Sequence, residues 1–544
     1  MAAVDWRRAL VLTHRWLGIA GGLLFVAWFA SGIVMMYRRM PELDPAERMA
    51  RLPPLDATDV RVSPAEAALA AEAPPQAVAG VRLGMHGERP VYRFGTSGTV
   101  FADTGELLEP LTTEAAIAVA ASFAPEHAAT LRHDGRLLEP DQWTLQSRAF
   151  LPLHRVALGD PEDTRLYVSE RTGEVAMETL RSERAWAYAG AVLHWLYFTP
   201  FRTHSTLWAQ TIIWLSVAGC LLSLSGIVWG LVRFSRRPRH RAMADASTER
   251  SDPQRASRSP YSGLVRWHHY AGLVFGLVTF TWILSGGLSM DPWSWHPGTA
   301  PTRAQREGAS GGELRAEELT AERVREGAAA LGAGRLAAAS STDASIAIKE
   351  VGLVQFRGEP YLVAYRPEAP REPPGGTATA ASTADAADAP GLVSALAPEA
   401  RPFARFSDED VLAAARAAMP GVAVADAIWL EEYDAYYYGR SYVAGSGLAL
   451  PVLRMRYADP QRTWLYLDPA RGTIVRKEER LTRLNRWLYR GLHSLDFPFL
   501  YTSRPLWDVL VIVLSLGGLA LSATTLIPGW QRVWRSVRRG APRG

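Results

Sequence analysis

Four stretches of this 544-residue chain are longer and more apolar than a soluble core helix needs, and they fix its architecture before anything else. They run over 10–37, 207–234, 263–290 and 506–527. A bilayer's hydrocarbon layer takes about 20 apolar residues in helical form. A spanning segment must also satisfy its own backbone, which restricts the choice to helices or closed barrels. The first stretch is too long for the apolar region of a signal peptide, and no small-x-small cleavage site follows before Tyr37, so it reads as a retained helix. Many of the 19 tryptophans, among them Trp6, Trp16, Trp208, Trp267, Trp507 and Trp530, fall near the ends of these runs. That is where interfacial belts place such side chains.

Arginines set the expected direction. Arg7 and Arg8 precede the first span. Arg233, Arg236, Arg237, Arg239, Arg241, Arg250, Arg255 and Arg258 crowd the connection between the second and third. Arg532, Arg535, Arg538, Arg539 and Arg543 follow the fourth. Short positive flanks stay on the cytoplasmic side. The expected layout is therefore a cytoplasmic N-terminus over 1–9, an Arg-rich cytoplasmic loop over 235–262 and a basic cytoplasmic tail over 528–544. The long segments 38–206 and 291–505 lie outside, in the periplasm of a bacterial inner (cytoplasmic) membrane. The basic runs read as anchors at a membrane lipid surface, and no nucleic acid partner is expected.

The sequence repeats itself. Thr13-His14-Arg15-Trp16-Leu17-Gly18 aligns with Trp267-His268-His269-Tyr270-Ala271-Gly272, and Ser31-Gly32 aligns with Ser285-Gly286, all at an offset of 254. At an offset of 299, the segment from Leu151 aligns with that from Leu450. This match runs on through Leu193-His194 and Leu492-His493 to Leu207-Trp208 and Leu506-Trp507. The chain is thus expected to be two copies of a helix–domain–helix unit. An insertion in the second copy, centred on the Ala-, Pro- and Thr-rich stretch 366–401, is expected to be disordered. In the outside domains, 64–73 and 112–124 read as helices. Residues 90–94, 98–102 and 165–168 read as strands, giving an α+β pattern with antiparallel strands.

Of 12 histidines, the repeat singles out four: His14, His268, His194 and His493. His14 and His268 lie about a turn inside the cytoplasmic ends of the first and third spans. His194 and His493 lie in aromatic segments just before the second and fourth. Polar groups at membrane depth are costly and are functional candidates for that reason. Two copies packed about a pseudo-twofold axis place matched residues at one depth, and two facing imidazoles are what a six-coordinate haem iron requires. The single cysteine, Cys220, excludes an intramolecular disulfide and a C-x-x-C-H attachment site, so any haem is b-type and non-covalent. His269 rivals His268, and His204, opposite Ser503 in the repeat, is secondary. Each histidine taken alone also reads as a polar belt residue or a helix-end hydrogen bonder. Direct iron, copper or zinc binding by these histidines ranks lower, since no carboxylate or thiol completes a set. Arg155 and Arg454 recur in the outside domains, as do Asp160 and Asp459. Structural ion pairing is the leading reading for the arginines, and binding of an anionic ligand the other.

THRWLGIAGGLLFVAWFASGI at 13–33, WHHYAGLVFGLVTFTWILSGG at 267–287 and the strand–turn–helix stretches ending at His194 and His493 together resemble the PepSY-associated transmembrane family. The likeness covers nearly the whole chain outside 366–401. It implies a four-span α-helical membrane bundle with two extracytoplasmic α+β PepSY-like domains, and a role in iron uptake as a ferrisiderophore reductase with two b-type haems. Under that reading the inner haem is held by His14 and His268 and the outer by His194 and His493. The substrate is a ferric siderophore. The sequence contains no G-x-G-x-x-G opening a βαβ unit, so no fused flavin domain is expected, and the donor is a separate cytoplasmic reductase or quinol. The competing reading is a non-enzymatic PepSY module that restrains a peptidase or assists iron transport.

Overall fold

The computed structural model describes residues 5–235, 258–336, 347–367, 391–438 and 448–540. They divide into two compact units. One comprises the described parts of 1–40, 185–296 and 484–544, the other those of 41–184 and 297–483.

The first unit holds four helices long and apolar enough to cross a membrane: Trp6–Met35, Ser205–Arg233, Gly263–Leu288 and Leu506–Gly540. This is compatible with a multi-pass membrane protein. The first helix is capped by Asp5, whose carboxylate accepts from the backbone N–H groups of Arg7 and Arg8. The first and third helices each pack against both the second and the fourth. Small residues make these approaches possible. A Cβ at Gly517 or Gly518 of the fourth helix would collide with the Phe275 or Phe29 ring. Phe25, Phe29 and Ile283 form the buried centre, with Trp28, Leu222, Trp282 and Leu519 against it. The fourth helix overruns its expected end at 527. It passes Pro528, set more than twenty residues into the helix, and continues to Gly540, so residues 528–540 of the basic tail are helical. Most of the Arg-rich loop, 236–257, lies outside the described residues.

The second unit is α+β, with antiparallel strands. Seven strands come from the first long segment: β1 (Arg82–His86), β2 (Arg89–Arg93), β3 (Thr99–Phe101), β4 (Arg132–Leu137), β5 (Leu153–Ala157), β6 (Arg165–Ser169) and β7 (Val175–Thr179). Seven more come from the described residues of the second: β8 (Glu350–Phe356), β9 (Glu359–Tyr365), β10 (Leu392–Ser394), β11 (Val424–Leu430), β12 (Val452–Tyr457), β13 (Trp464–Asp468) and β14 (Thr473–Glu478). β4–β7 form one four-stranded meander and β11–β14 another. Each packs an Ala-rich helix on one face. Thr113–Phe123 buries Ala116, Ala120 and Phe123 with Val156, Leu166 and Val168, and Asp408–Ala417 buries Val411, Ala414 and Ala415 with Leu453, Met455 and Leu467. The turn after β5 is tied by Asp160, which accepts from the Thr164 N–H and hydroxyl, both at 2.7 Å. Asp459 holds Thr463 in the same way at 2.6 and 2.8 Å.

The two long segments were expected as separate domains, but they share a third sheet. Its order is β10-β9-β8-β1-β2-β3, and the seam is the pairing of Arg82 with Gly352 and Leu83 with Val351. Beneath it Val60, Leu83, Tyr92, Val100, Leu331, Val351, Leu362 and Val393 make one core. Side chains of this size each contribute about 1.5–3 kcal/mol on burial. The seam is also ionic. Arg48 and Arg82 each bridge Glu174 of the first segment and Glu350 of the second, at 2.7–3.0 Å. Part of the expected disordered insertion is ordered: Leu392–Ser394 pairs with β9 and completes the sheet edge. Residues 368–390 of it lie outside the described residues.

Candidate functional site: two histidine pairs

The bundle brings the four repeated histidines together in two pairs. His14 of the first helix and His268 of the third have ring centroids 6.0 Å apart. His194 and His493 have ring centroids 6.2 Å apart. Neither pair is contiguous in sequence; the helix packing that sets the first and third helices between the second and fourth creates both.

Each ring is held by one backbone carbonyl. His14 Nδ1 donates to Leu222 O of the second helix at 3.0 Å, and His268 Nδ1 to Leu521 O of the fourth at 3.1 Å. His194 Nδ1 donates to Trp28 O of the first helix at 3.1 Å, and His493 Nδ1 to Trp282 O of the third at 3.0 Å. Hydroxyls reinforce three of these bonds: Ser31 Oγ and Ser285 Oγ stand 3.1 Å from the Nδ1 atoms of His194 and His493, and Thr524 Oγ1 stands 3.3 Å from that of His268. The offsets of 254 and 299 carry every donor and carbonyl acceptor of one half onto its counterpart in the other. A carbonyl has no proton to give, so Nδ1 carries the hydrogen in all four rings. Nε2 is then the nitrogen with the lone pair, the tautomer a metal ligand needs.

The spacing suits a metal between the rings. A metal–imidazole bond of about 2 Å on each side, plus roughly 1 Å from nitrogen to ring centre, puts the centroids roughly 6 Å apart. Among the described residues no group of three or more His, Cys, Asp or Glu could hold a metal ion. Two opposed imidazoles suit an iron whose other four positions are filled by a porphyrin. Glycines admit the rings. A Cβ at Gly226 would stand 2.5 Å from His14 Cε1, and those at Gly32 and Gly286 would stand 3.5 and 3.3 Å from Cε1 of His194 and His493. The Nε1 atoms of Trp28 and Trp282, residues whose own carbonyls hold the His194 and His493 rings, are buried without a hydrogen-bond partner among the described residues.

The chain bends to deliver the pair of His194 and His493. A widened π-helical turn precedes each histidine, at Tyr188–Val192 and Arg486–Gly491. Leu196 and Leu495 then take left-handed conformations, φ 51° and 49°. A branched side chain there costs about 1–2 kcal/mol. The indoles of Trp208 and Trp507 pin these turns, donating to Trp195 O at 3.0 Å and Ser494 O at 2.9 Å. On the first helix, 17 residues separate His14 from Ser31. At about 1.5 Å rise per residue the two pairs are roughly 25 Å apart along the axis, close to a hydrocarbon thickness.

The secondary candidates stand elsewhere. His269 is buried with both ring nitrogens engaged, Nδ1 with Ser259 Oγ at 2.8 Å and Nε2 with Gly230 O at 2.9 Å, so it is a helix-packing residue. His204 precedes the first residue of the second helix without a side-chain bond to that helix's end, and its Nδ1 donates to Pro200 O at 3.1 Å. Arg155 is bound to Asp134 at 2.9 Å and Arg454 to Asp434 at 2.7 Å, within the two meanders. The sequence reading missed the acceptors of the histidines, although Ser31 and Ser285 stood out in the repeat. Leu222 and Leu521 act through backbone carbonyls, which leave no side-chain signal. Compared with known proteins, the sequence matches no family model and no curated protein.

Proposed function

We propose that this chain is an electron-transfer protein of the bacterial inner membrane that carries two b-type haems and reduces an acceptor outside the cytoplasm. His14 and His268 would hold the inner haem, His194 and His493 the outer. The observation that carries this reading is the doubled geometry: two imidazole pairs at 6.0 and 6.2 Å, every ring tied through Nδ1 to a helix carbonyl. Structural histidines have no need of the same tautomer at four matched places.

Haem b, when bound, supplies reversible one-electron chemistry. The chain's residues fix ligand orientation, exclude water from the bundle centre and set the iron's potential through the Nδ1 bonds. The matched halves support a duplicated helix–domain–helix unit, and the arginine flanks support termini inside and both long segments in the periplasm. The acceptor we infer from the PepSY-type resemblance is a ferric siderophore. One electron per iron converts Fe(III) to Fe(II), which hard, oxygen-rich chelators hold far more weakly. The donor would be quinol or a cytoplasmic reductase.

The test is a pyridine haemochrome assay on detergent-purified protein from haem-sufficient cells, with spectra before and after dithionite. Two b-haems per chain are expected, and H14A or H268A should remove one while H194A or H493A removes the other. The reduced protein should be reoxidised by a ferric hydroxamate or catecholate chelate, with ferrous iron trapped by a ferrous-specific chelator. A colourless protein, or haem content indifferent to all four substitutions, would sink the proposal.

A further inference from the structure

Eight residues after His194 stands a cation that pairs with no carboxylate among the described residues. Arg202 lies in the short turn Thr199–Arg202 that follows His194 and leads into the second helix. Its guanidinium sits over two aromatic rings, 5.0 Å from the Tyr197 centroid and 4.5 Å from that of Trp208. Those rings meet edge to face at 5.7 Å, and Trp208 is itself bound to the carbonyl of Trp195, the residue after His194. The aromatic walls fix where the guanidinium can be. Its Nε is buried without a hydrogen-bond partner, and no carboxylate pairs with Arg202 among the described residues.

The second half shows the contrast. Arg504 lies 4.8 Å from the Trp507 ring, the counterpart of Trp208, but its Nε stands 3.1 Å from the Asp508 carboxylate. An aromatic face attracts a guanidinium through the ring's quadrupole, which positions the cation but does not neutralise it. A planar guanidinium held at a fixed place is suited to a carboxylate, which it meets with two parallel hydrogen bonds.

We infer that Arg202 is a cofactor-binding residue that clamps a propionate carboxylate of the outer porphyrin. This rests on the two-haem reading. A carboxylate left bare near the iron stabilises the ferric state, and a guanidinium on it relieves that and raises the potential. Lipid phosphate is the competing anion at such a depth.

The test compares wild type, R202M and R202K by haem content after extended washing and by spectroelectrochemical titration. R202M should lose outer-site haem affinity by about 10-fold, the range seen when a supporting partner of a metal site is removed. Its remaining outer haem should titrate at lower potential. R202K should fall between, since lysine keeps the charge without the planar fork. The inner haem, unchanged in content and potential, reports that the variants fold. Wild type with two haems and an R202M variant identical in content and both potentials would overturn this inference alone and assign the guanidinium to lipid. Wild type without haem would overturn the reading beneath it.

Discussion

His14 and His268, 254 residues apart in sequence, face one another with ring centroids 6.0 Å apart, each anchored by a different neighbouring helix. The anchors are carbonyls one turn or more inside those helices, so the imidazoles cannot turn without giving up a hydrogen bond in an apolar setting. Such a loss costs about 1–3 kcal/mol. The pair is therefore preorganised. If it ligates iron, H268M should keep His14 and put a thioether in place of the second imidazole, changing the axial set of that haem. Its potential should rise, since thioether ligation favours ferrous iron. The outer haem's potential should not move. Redox titration of the two α-bands checks this, and a shift in both would mean that the assignment of pairs is wrong.

Gly226 offers a sharper steric test. A methyl there would lie 2.5 Å from His14 Cε1 and 2.9 Å from Nδ1, well inside contact distance. On the two-haem proposal, G226A should push His14 from its carbonyl and remove the haem held by His14 and His268 while the other remains. At Gly32 the same methyl would meet His194 at an ordinary 3.5 Å, so G32A should keep both haems. Haem stoichiometry of the two variants, measured side by side, decides the matter.

Much of this site was legible because it is periodic and repeated. The four long apolar helices follow from length and apolar content, and the histidines follow from two constant offsets. What could not be read was non-local. The pairing of Arg82 with Gly352 joins strands from different segments, and nothing in either strand's alternation names its partner. His269 and His268 are neighbours in one helix and look alike in sequence; only the packing of the second helix shows that Gly230 O and Ser259 consume both nitrogens of His269. The helix beyond 527 was hidden by Pro528, which breaks helices in most settings but is carried here within a long one. The order at Leu392–Ser394 was masked by the composition around it.

On the two-haem proposal, Ser31 and Ser285 should act as tuning residues of the haem held by His194 and His493. Each hydroxyl oxygen lies 3.1 Å from the Nδ1 of an outer histidine and also donates to the carbonyl that histidine uses, at 3.2 Å to Trp28 O and 3.0 Å to Trp282 O. Acceptors at Nδ1 make the imidazole a stronger donor to iron and favour the ferric form. S31A and S285A should therefore raise the outer haem's potential while leaving haem content intact, and the double variant should raise it further. Equal potentials in wild type and double variant would remove the serines from the site.

Glu350 joins the two long segments, and its titration should be felt as acid sensitivity of the shared sheet. Burial alone would raise its pKa. The hydrogen bond from Arg48 and the charges of Arg82, Arg48 and Arg93 outweigh burial and hold the carboxyl at about 2, against an ordinary 4.5. A carboxyl depressed in the folded state contributes stability that is fully present above about 4.5 and is lost as pH falls from there through about 2. Hydrogen exchange of β1 and β8 in the full-length protein should therefore accelerate across that window. E350Q removes one partner of a buried network and leaves Arg48 and Arg82 with Glu174 alone, a loss of about 3–5 kcal/mol. Its sheet should exchange faster at neutral pH and show a flatter response to acid. If E350Q matches wild type at pH 7, the seam between the segments is held by its apolar core, and the charges across it contribute little.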